Sequence, residues 1–379
     1  MLDVLAIVAG IILILVVLWE TFETIVLPRR VTRQFRLTRY FYRVTWRPWA
    51  ALAARNKNRR KRDARLSYYG PISLLLLLVF WAVGLMVGFA LIYYGAQVPF
   101  KGEVYPNRFA NDLYVSGTTL VTLGLGDLAP GSPLGRFLTV LEAGLGFGFL
   151  ALVVGYLPVL YQAFSRREVT ISLLDARAGS PPTATELLRR HSGEYGQEAL
   201  FELLKDWERW SADLMESHLS YPVLAYFRSQ HDNQSWLASL TTILDVCALS
   251  LVAVEGMCEY QARMTFAIAR HALVDLSQVF NARPVPMESF DRLPPETIVR
   301  MRQQLREQGF IFKDGDAANN QLTHLRSLYE PYAIALSRFL CMDLPPWVRE
   351  GVIKDNWKTT AWQSRSELAR QSVGPEDHF

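Results

Sequence analysis

Between Pro71 and Gly95 the chain passes through 25 residues without a single charge. At about 1.5 Å of rise per residue, such a run is long enough as a helix to cross a bilayer core of about 30 Å. No soluble fold needs so long an uncharged helix, so a membrane is the first constraint. Residues 4–19 (VLAIVAGIILILVVLW) form a second apolar run, and its helix can continue past Glu20 and Glu23 to Leu27. A secretion signal is the competing reading of that run. Its leading MLDV carries no Lys or Arg, however, and no small-residue cleavage site follows, so a retained helix is expected. The third run, Leu138 to Phe164, contains one charge, Glu142, and ends at Arg166 and Arg167. Tyr68 and Tyr69 at one end of the second run, and Tyr93 and Tyr94 at the other, are placed as interfacial aromatic belts.

The formal charge of +4 is a cancellation. Residues 1–167 hold 19 basic and 8 acidic side chains, and residues 168–379 hold 21 and 28. Residues 28–67 carry 14 Arg/Lys against one acid, Asp63, while the segment between the second and third runs carries three of each sign: Lys101, Arg108 and Arg136 against Glu103, Asp112 and Asp127. The positive-inside rule places 28–67 and everything after Arg166 in the cytoplasm, with the N-terminus and 96–135 outside. All three cysteines (Cys247, Cys258 and Cys341) fall in the cytoplasmic part and none forms a CxxC pair, which suits a reducing compartment.

The segment between the second and third runs carries the chemistry. Residues 112–121 (DLYVSGTTLV) read as a helix of about 15 Å, too short to cross. Thr122-Leu123-Gly124-Leu125-Gly126-Asp127 follows, then the turn-rich Ala129-Pro130-Gly131-Ser132-Pro133. Extended backbone at membrane depth is tolerated only where it is buried in protein or lines a watery path. Stripping water from a cation requires successive carbonyl oxygens on one side of a strand, with torsions that glycine adopts cheaply. Thr122 adds a hydroxyl at the inner mouth and Asp127 a carboxylate at the outer one. The C-terminal end of the short helix would turn its negative pole toward the pore axis.

This stretch resembles the pore loop of the potassium-channel superfamily. The signature TxxTxGxGD is met by Thr119, Thr122, Gly124, Gly126 and Asp127, between two spanning helices, and the resemblance covers roughly residues 68–167. It implies a filter at Thr122–Asp127, with potassium held at Thr122, Leu123, Gly124 and Leu125. It also implies a pore helix that includes Thr118 and Thr119. The usual filter of the family reads TVGYGD, with a Tyr that braces it; here Leu125 stands in that place, as in one filter of two-pore-domain potassium channels. A brace is thereby lost, so a weakly selective cation channel stays open beside a potassium-selective one.

The third run resembles the family's inner helix. By that resemblance Gly146 is the hinge glycine, and helical spacing puts Val154, Pro158 and Gln162 on one stripe, the expected pore lining and gate. Pro158 removes a backbone bond and is expected to kink the helix. Gly144, Gly146 and Gly148 are equally consistent with close helix packing. Gly144-Leu-Gly-Phe-Gly148 mimics a dinucleotide fingerprint, but no strand precedes it. Glu142, alone among ionisable groups in this span, is a candidate brace to the pore helix through Ser116 or Thr118, or a protonated structural group.

Arg30, Arg33, Arg36 and Arg39 have the spacing of a voltage sensor, but only one helix precedes them. Arg29, Arg33, Arg36, Arg39, Arg43 and Arg47 fall on one helical face, opposite Val31, Phe35, Tyr42 and Trp46, with Pro28 and Pro48 as start and stop. A basic amphipathic helix on the anionic inner leaflet is expected, extended by Arg59-Arg60-Lys61-Arg62; nucleic-acid binding is not.

Beyond a linker at 168–179, helical periods cover 187–219, 234–280, 295–309, 320–341 and 345–372, opened by a capping box at Thr183 and Glu186. Residues 237–256 come closest to a fourth span, but Asp245 near the centre would cost about 2.5–3.5 kcal/mol there, and a buried core helix fits better. No nucleotide-binding unit, metal-ligand spacing or catalytic set appears in this half, and Lys313-Asp-Gly-Asp316 is a turn rather than a cation loop.

The expectation is therefore an all-α membrane protein, not an enzyme. Its parts are an N-terminal spanning helix at 1–27, a basic cytoplasmic linker at 28–67, a pore module at 68–167 and an all-α cytoplasmic domain at 168–379. One pore loop cannot ring an ion, so the four-fold filter implied by the resemblance calls for a homotetramer. No cofactor is expected beyond the permeant potassium ion, and the cytoplasmic ligand or partner is left unnamed. A membrane-anchored sensor or scaffold that no longer conducts is the alternative outside the channel class.

Overall fold

The computed structural model describes residues 1–27, 36–102, 106–193, 195–230, 233–252, 254, 258–313 and 315–349. The chain divides after Gln162 into two compact units. Among the described residues, three helices are long and apolar enough to span a membrane, and sheet is confined to two three-residue strands. The chain is an all-α membrane protein, as its apolar runs require.

In the first unit, α1 (Leu2–Thr21) continues through a wider turn at Phe22–Val26 and packs along α4 (Tyr69–Gly95). Glycines set the distance between them. A Cβ on Gly10 would lie 2.5 Å from the Gly88 carbonyl oxygen, and one on Gly88 would lie 2.6 Å from Ile14. Gly84 and Gly88 form a GxxxG step, the small-residue spacing that lets helix backbones approach in lipid. The core of this unit gathers Val17, Leu77, Trp81, Leu85, Phe89, Tyr93 and Leu120. Each expected aromatic belt splits: Tyr68 and Tyr94 are exposed, whereas Tyr69 and Tyr93 are buried and hydrogen-bonded inside. Adjacent helical positions point about 100° apart, so a Tyr pair cannot face lipid together.

Near the C-terminal end of α1, Glu20 Oε2 accepts from the Thr38 amide (3.1 Å) and hydroxyl (2.8 Å), in the first turn of α2 (Leu37–Ala54). The expected start of the basic helix at Pro28, with Arg29, Arg30, Val31, Arg33 and Phe35, lies outside the described residues. Its expected stop at Pro48 is corrected: α2 runs through Pro48 to Ala54. Only one backbone bond is forfeited there, and rings on either side hold the helix, with Trp46 and Trp49 centred 4.7 and 5.9 Å from Tyr69. The apolar face of α2 therefore covers α4, while Arg39, Arg43 and Arg47 stay exposed. The short helix α3 (Arg59–Ser67) leads into α4.

Strands β1 (Phe100–Gly102) and β2 (Leu128–Pro130) pair antiparallel, Lys101 opposite Ala129. Between them lies α5 (Arg108–Leu120), and after them α6 (Pro133–Ala178). The expected linker at 168–179 is corrected, because α6 remains helical to Ala178. Arg167, Ile171, Leu174 and Ala178 make its buried stripe in the second unit. Polar residues between them had masked that period.

The second unit is a helical domain: α7 (Ala184–Arg190), α8 (Gly196–Ser220), α9 (Trp236–Val252), α10 (Glu259–Val279), α11 (Pro295–Glu307), α12 (Asp316–Ser327) and α13 (Glu330–Leu340). Thr183 caps α7, its hydroxyl accepting from the Glu186 amide at 3.3 Å. The expected single helices at 187–219, 234–280 and 320–341 each break in two, and 345–349 is not helical; residues 350–372 lie outside the described residues. Pro331 in the first turn of α13 marks one of those breaks.

Helix α9 is the centre of this domain rather than a span. Asp245 is fully buried and paired with Arg292 at 2.7 Å, and Arg292 also reaches Glu330 at 3.0 Å. Arg326 pairs with Glu330 at 2.9 Å, and both guanidinium groups lie 5.7 Å from the Trp347 ring. Arg167 is likewise buried, donating to the carbonyls of Leu224 (2.9 Å) and Phe227 (2.8 Å) and lying 3.1 Å from His218 Nε2. Burial, and then the Arg167 charge, push the His218 pKa well below the usual histidine range, so the ring accepts from the guanidinium as the neutral base.

Candidate pore site

Asn107 opens α5 by accepting the Ala110 amide at 3.3 Å. Asn111, Asp112, Val115 and Ser116 are buried on its inward face. At its other end the chain turns back on itself: the amides of Leu123 (2.8 Å) and Gly124 (3.3 Å) donate to the Thr118 carbonyl, and Thr122 donates to that of Thr119 at 2.9 Å. The Thr118 hydroxyl donates within α5, 3.1 Å from the carbonyls of Tyr114 and Val115.

From Thr122 onward the torsions alternate in hand. Thr122 (φ +58°), Gly124 (+55°) and Gly126 (+78°) are left-handed, and Leu123 and Leu125 between them are not. Alternation of this kind keeps successive peptide planes facing the same way, so their carbonyl oxygens form a row. The glycines adopt it without cost. Thr122 does not, since a β-branched residue at positive φ carries strain of about 1–3 kcal/mol. Residues Val121 to Asp127 are exposed in the single chain, Leu123 and Leu125 by 59% and 61%.

At the far end of this segment the Tyr114 hydroxyl donates to Asp127 Oδ2 at 2.7 Å, tying α5 to the end of the 122–127 stretch. Sequence reasoning found Asp127 but missed Tyr114, which lies 13 residues away on α5. A brace thus exists, but from the helix to the carboxylate rather than from position 125.

Gly144, Gly146 and Gly148 of α6 differ in their surroundings. A Cβ on Gly146 would collide with the Leu120 carbonyl, whereas none built on Gly144 or Gly148 meets anything within 4 Å. Gly146 is thus a packing glycine against the end of α5, on a helix that continues unbroken beyond it. Gly144, Gly148, Val154, Pro158 and Gln162 share the opposite, exposed face. Glu142 is fully buried, in contact with the Ser116 hydroxyl and accepting from Tyr93 at 2.7 Å. Neither Tyr93 nor Thr139, 3.2 Å from it, was singled out from the sequence in this role.

A short helix and an exposed, alternately handed segment between two spanning helices define a pore-loop membrane protein. Residues 75–162 match the family described as an ion channel, a two-helix, potassium-channel-like pore family, over about a quarter of the chain. The chain is similar to the uncharacterized membrane protein YdjJ of Bacillus subtilis (strain 168), 28% identical over 178 residues, 46% of this chain and 51% of that protein. It is also similar to protein LctB of Bacillus caldotenax and of Geobacillus stearothermophilus, 33% and 34% identical over 90 residues, 21% of this chain and 66% of each relative. The chain thus spans between half and two thirds of the length of these relatives. No solved structure matches it.

Proposed function

We propose that four copies of this chain form a potassium-selective cation channel that conducts along Thr122, Leu123, Gly124, Leu125 and Gly126, with Asp127 at the outer mouth. The observation that carries this reading is the alternation of left-handed torsions at Thr122, Gly124 and Gly126, which lines up carbonyl oxygens able to replace a cation's hydration shell. The amides of 122–124 are tied back to α5, which frees the carbonyls to face an axis. The exposure of Leu123, Leu125, Phe147 and Val154 supports burial by further copies, since one strand cannot surround an ion. In this reading Val154, Pro158 and Gln162 line the inner pore, and α6 with the 163–379 domain gates it. The N-terminus lies outside and the C-terminus in the cytoplasm of the cell membrane, and Arg39, Arg43 and Arg47 meet anionic headgroups of the inner leaflet.

The test is flux from potassium-loaded liposomes, wild type against Gly124→Asp. Wild-type flux that the variant abolishes is expected; no flux from the wild type favours a non-conducting scaffold. Leu125 favours a second reading, a weakly selective channel, because it offers no hydroxyl to hold the filter width. Reversal potentials in asymmetric potassium and sodium decide between them, a value near zero excluding selectivity.

A further inference from the structure

Helix α6 has 46 residues, a length of about 69 Å, more than twice a bilayer core of about 30 Å. Its apolar run ends at Phe164, and five of the 14 residues from Ser165 to Ala178 are charged. In this stretch the helix has two opposite faces. Arg167, Ile171, Leu174 and Ala178 form the stripe buried in the second unit. Ser165, Val169, Leu173 and Ala176 are exposed, the two larger aliphatic side chains by 58% and 62%.

The exposed stripe continues the one proposed to line the pore. At about 100° per residue, Ala176 falls on the same line as Pro158, and Gln162, Ser165, Val169 and Leu173 stay within about 60° of it. The buried stripe lies within about 40° of the opposite line. The second unit therefore packs on the far side of α6 and leaves the pore-lining side bare. Copies arranged around a common axis bring these bare faces together. Ser165 and Ala176 are small enough to let helices approach, and Val169 and Leu173 fill the space between them. Arg166 and Glu168 stand about 80° to either side of the line, so a ring of parallel copies sets the Arg166 shoulder of each against the Glu168 shoulder of the next. Lipid is a poor cover for the stripe, because charges on both shoulders are costly in hydrocarbon.

We infer that residues 165–176 of α6 are an interface between copies of this chain, which pack there as a parallel four-helix bundle around Val169 and Leu173. The partner is a further copy of the same chain. This rests on the four-copy reading above and adds to it a contact outside the apolar run, which holds the ends of the α6 helices together.

Two measurements on the full-length protein in detergent test this. Leu173→Cys should give disulfide-linked dimers on mild oxidation with copper phenanthroline, whereas Tyr195→Cys, 74% exposed elsewhere in the second unit, should not. Wild type, with Cys247 buried and Cys258 and Cys341 half-buried, sets the background. Val169→Asp should keep the wild-type circular-dichroism spectrum, because Val169 is exposed within the chain. Followed by light scattering, it should lose the four-copy mass at a dilution at which wild type keeps it. A four-copy mass without Leu173→Cys dimers, or a dilution profile unchanged in Val169→Asp, overturns the interface and leaves the channel reading standing. Leu173→Cys dimers in protein of two-copy mass uphold the interface and refute the four-copy reading instead. Monomeric protein without dimers overturns both.

Discussion

The carbonyl oxygen of Leu120, the last residue of the pore helix, lies against Gly146 of the inner helix so closely that no Cβ fits between them. The end of the short helix is seated on a gap in the long one, immediately before the left-handed backbone at Thr122. Gly146→Ala is therefore expected to displace α5 or α6, with an overpacking cost of about 1–3 kcal/mol. Gly144→Ala meets open space in the same helix and is expected to lose no stability within the chain. Thermal unfolding in detergent compares them, and equal midpoints would remove the packing role from Gly146.

The bond between Tyr114 and Asp127 leads to a prediction about selectivity. Tyr114→Phe deletes one exposed hydrogen bond, worth about 1 kcal/mol, and leaves the packing of the ring intact. Folding should survive. Under the proposed channel function, the reversal potential in asymmetric potassium and sodium should move toward zero, because the Asp127 end of the 122–127 stretch is no longer tied to α5. An unchanged reversal potential would show that the bond holds nothing that selectivity depends on.

Gly10 and Gly88 predict how α1 is held. Gly10→Val drives two methyl groups toward the Gly88 carbonyl and Ile92, at a cost of about 1–3 kcal/mol. Val8→Ala, at an exposed position on the same helix, should change little. Denaturation midpoints of the two variants should therefore separate clearly.

In the second unit, Arg292→Met leaves Asp245 and Glu330 buried, and of these two carboxylates Arg326 pairs with Glu330 alone. Removing one partner of a buried ionic cluster costs about 3–5 kcal/mol. The variant should unfold at markedly lower temperature or denaturant, as followed by far-ultraviolet circular dichroism.

Glu186 gives a prediction in pH. Burial opposes its charge, but hydrogen bonds from Arg189 (2.9 Å) and Arg190 (2.6 Å) outweigh burial and bring its pKa below the usual carboxylate range. A depressed carboxyl contributes stability above its unfolded value of about 4.3, and that contribution is lost as pH falls through the lower folded value. Wild type should exceed Glu186→Gln in melting temperature at neutral pH, and the gap should close under acid. A gap independent of pH would place the effect in packing instead.

Much of the first unit was legible because its signals are local. Helix lengths follow from runs of uncharged residues, and the filter segment from spacing within nine positions. Two of the errors share one cause. Pro48 was read as a stop and 168–179 as a linker because propensity and period were judged along the chain. Trp46, Trp49 and Tyr69 in one place, and the stripe from Arg167 to Ala178 in the other, stabilise helix through contacts with distant segments. The breaks near Gly196 and Pro331 were missed for the opposite reason: a polar helical period continues across them and hides a change of direction.

By itself the sequence determined that this chain enters a membrane three times and carries a glycine-alternating segment between the second and third passages. Unbroken apolar length and residues without a Cβ are properties of single segments, and no partner is needed to read them. Tertiary structure decided the rest. It set Gly146 against Leu120 while leaving Gly144 and Gly148 open, placed Thr122 beside the glycines in left-handed backbone, and joined Tyr114 to Asp127. It also gathered Tyr93, Ser116, Thr139 and Glu142 from three helices into one hydrogen-bonded cluster. Those relationships join residues up to 49 positions apart, and their energy comes from close approach and shared protons, which exist only once the helices have packed.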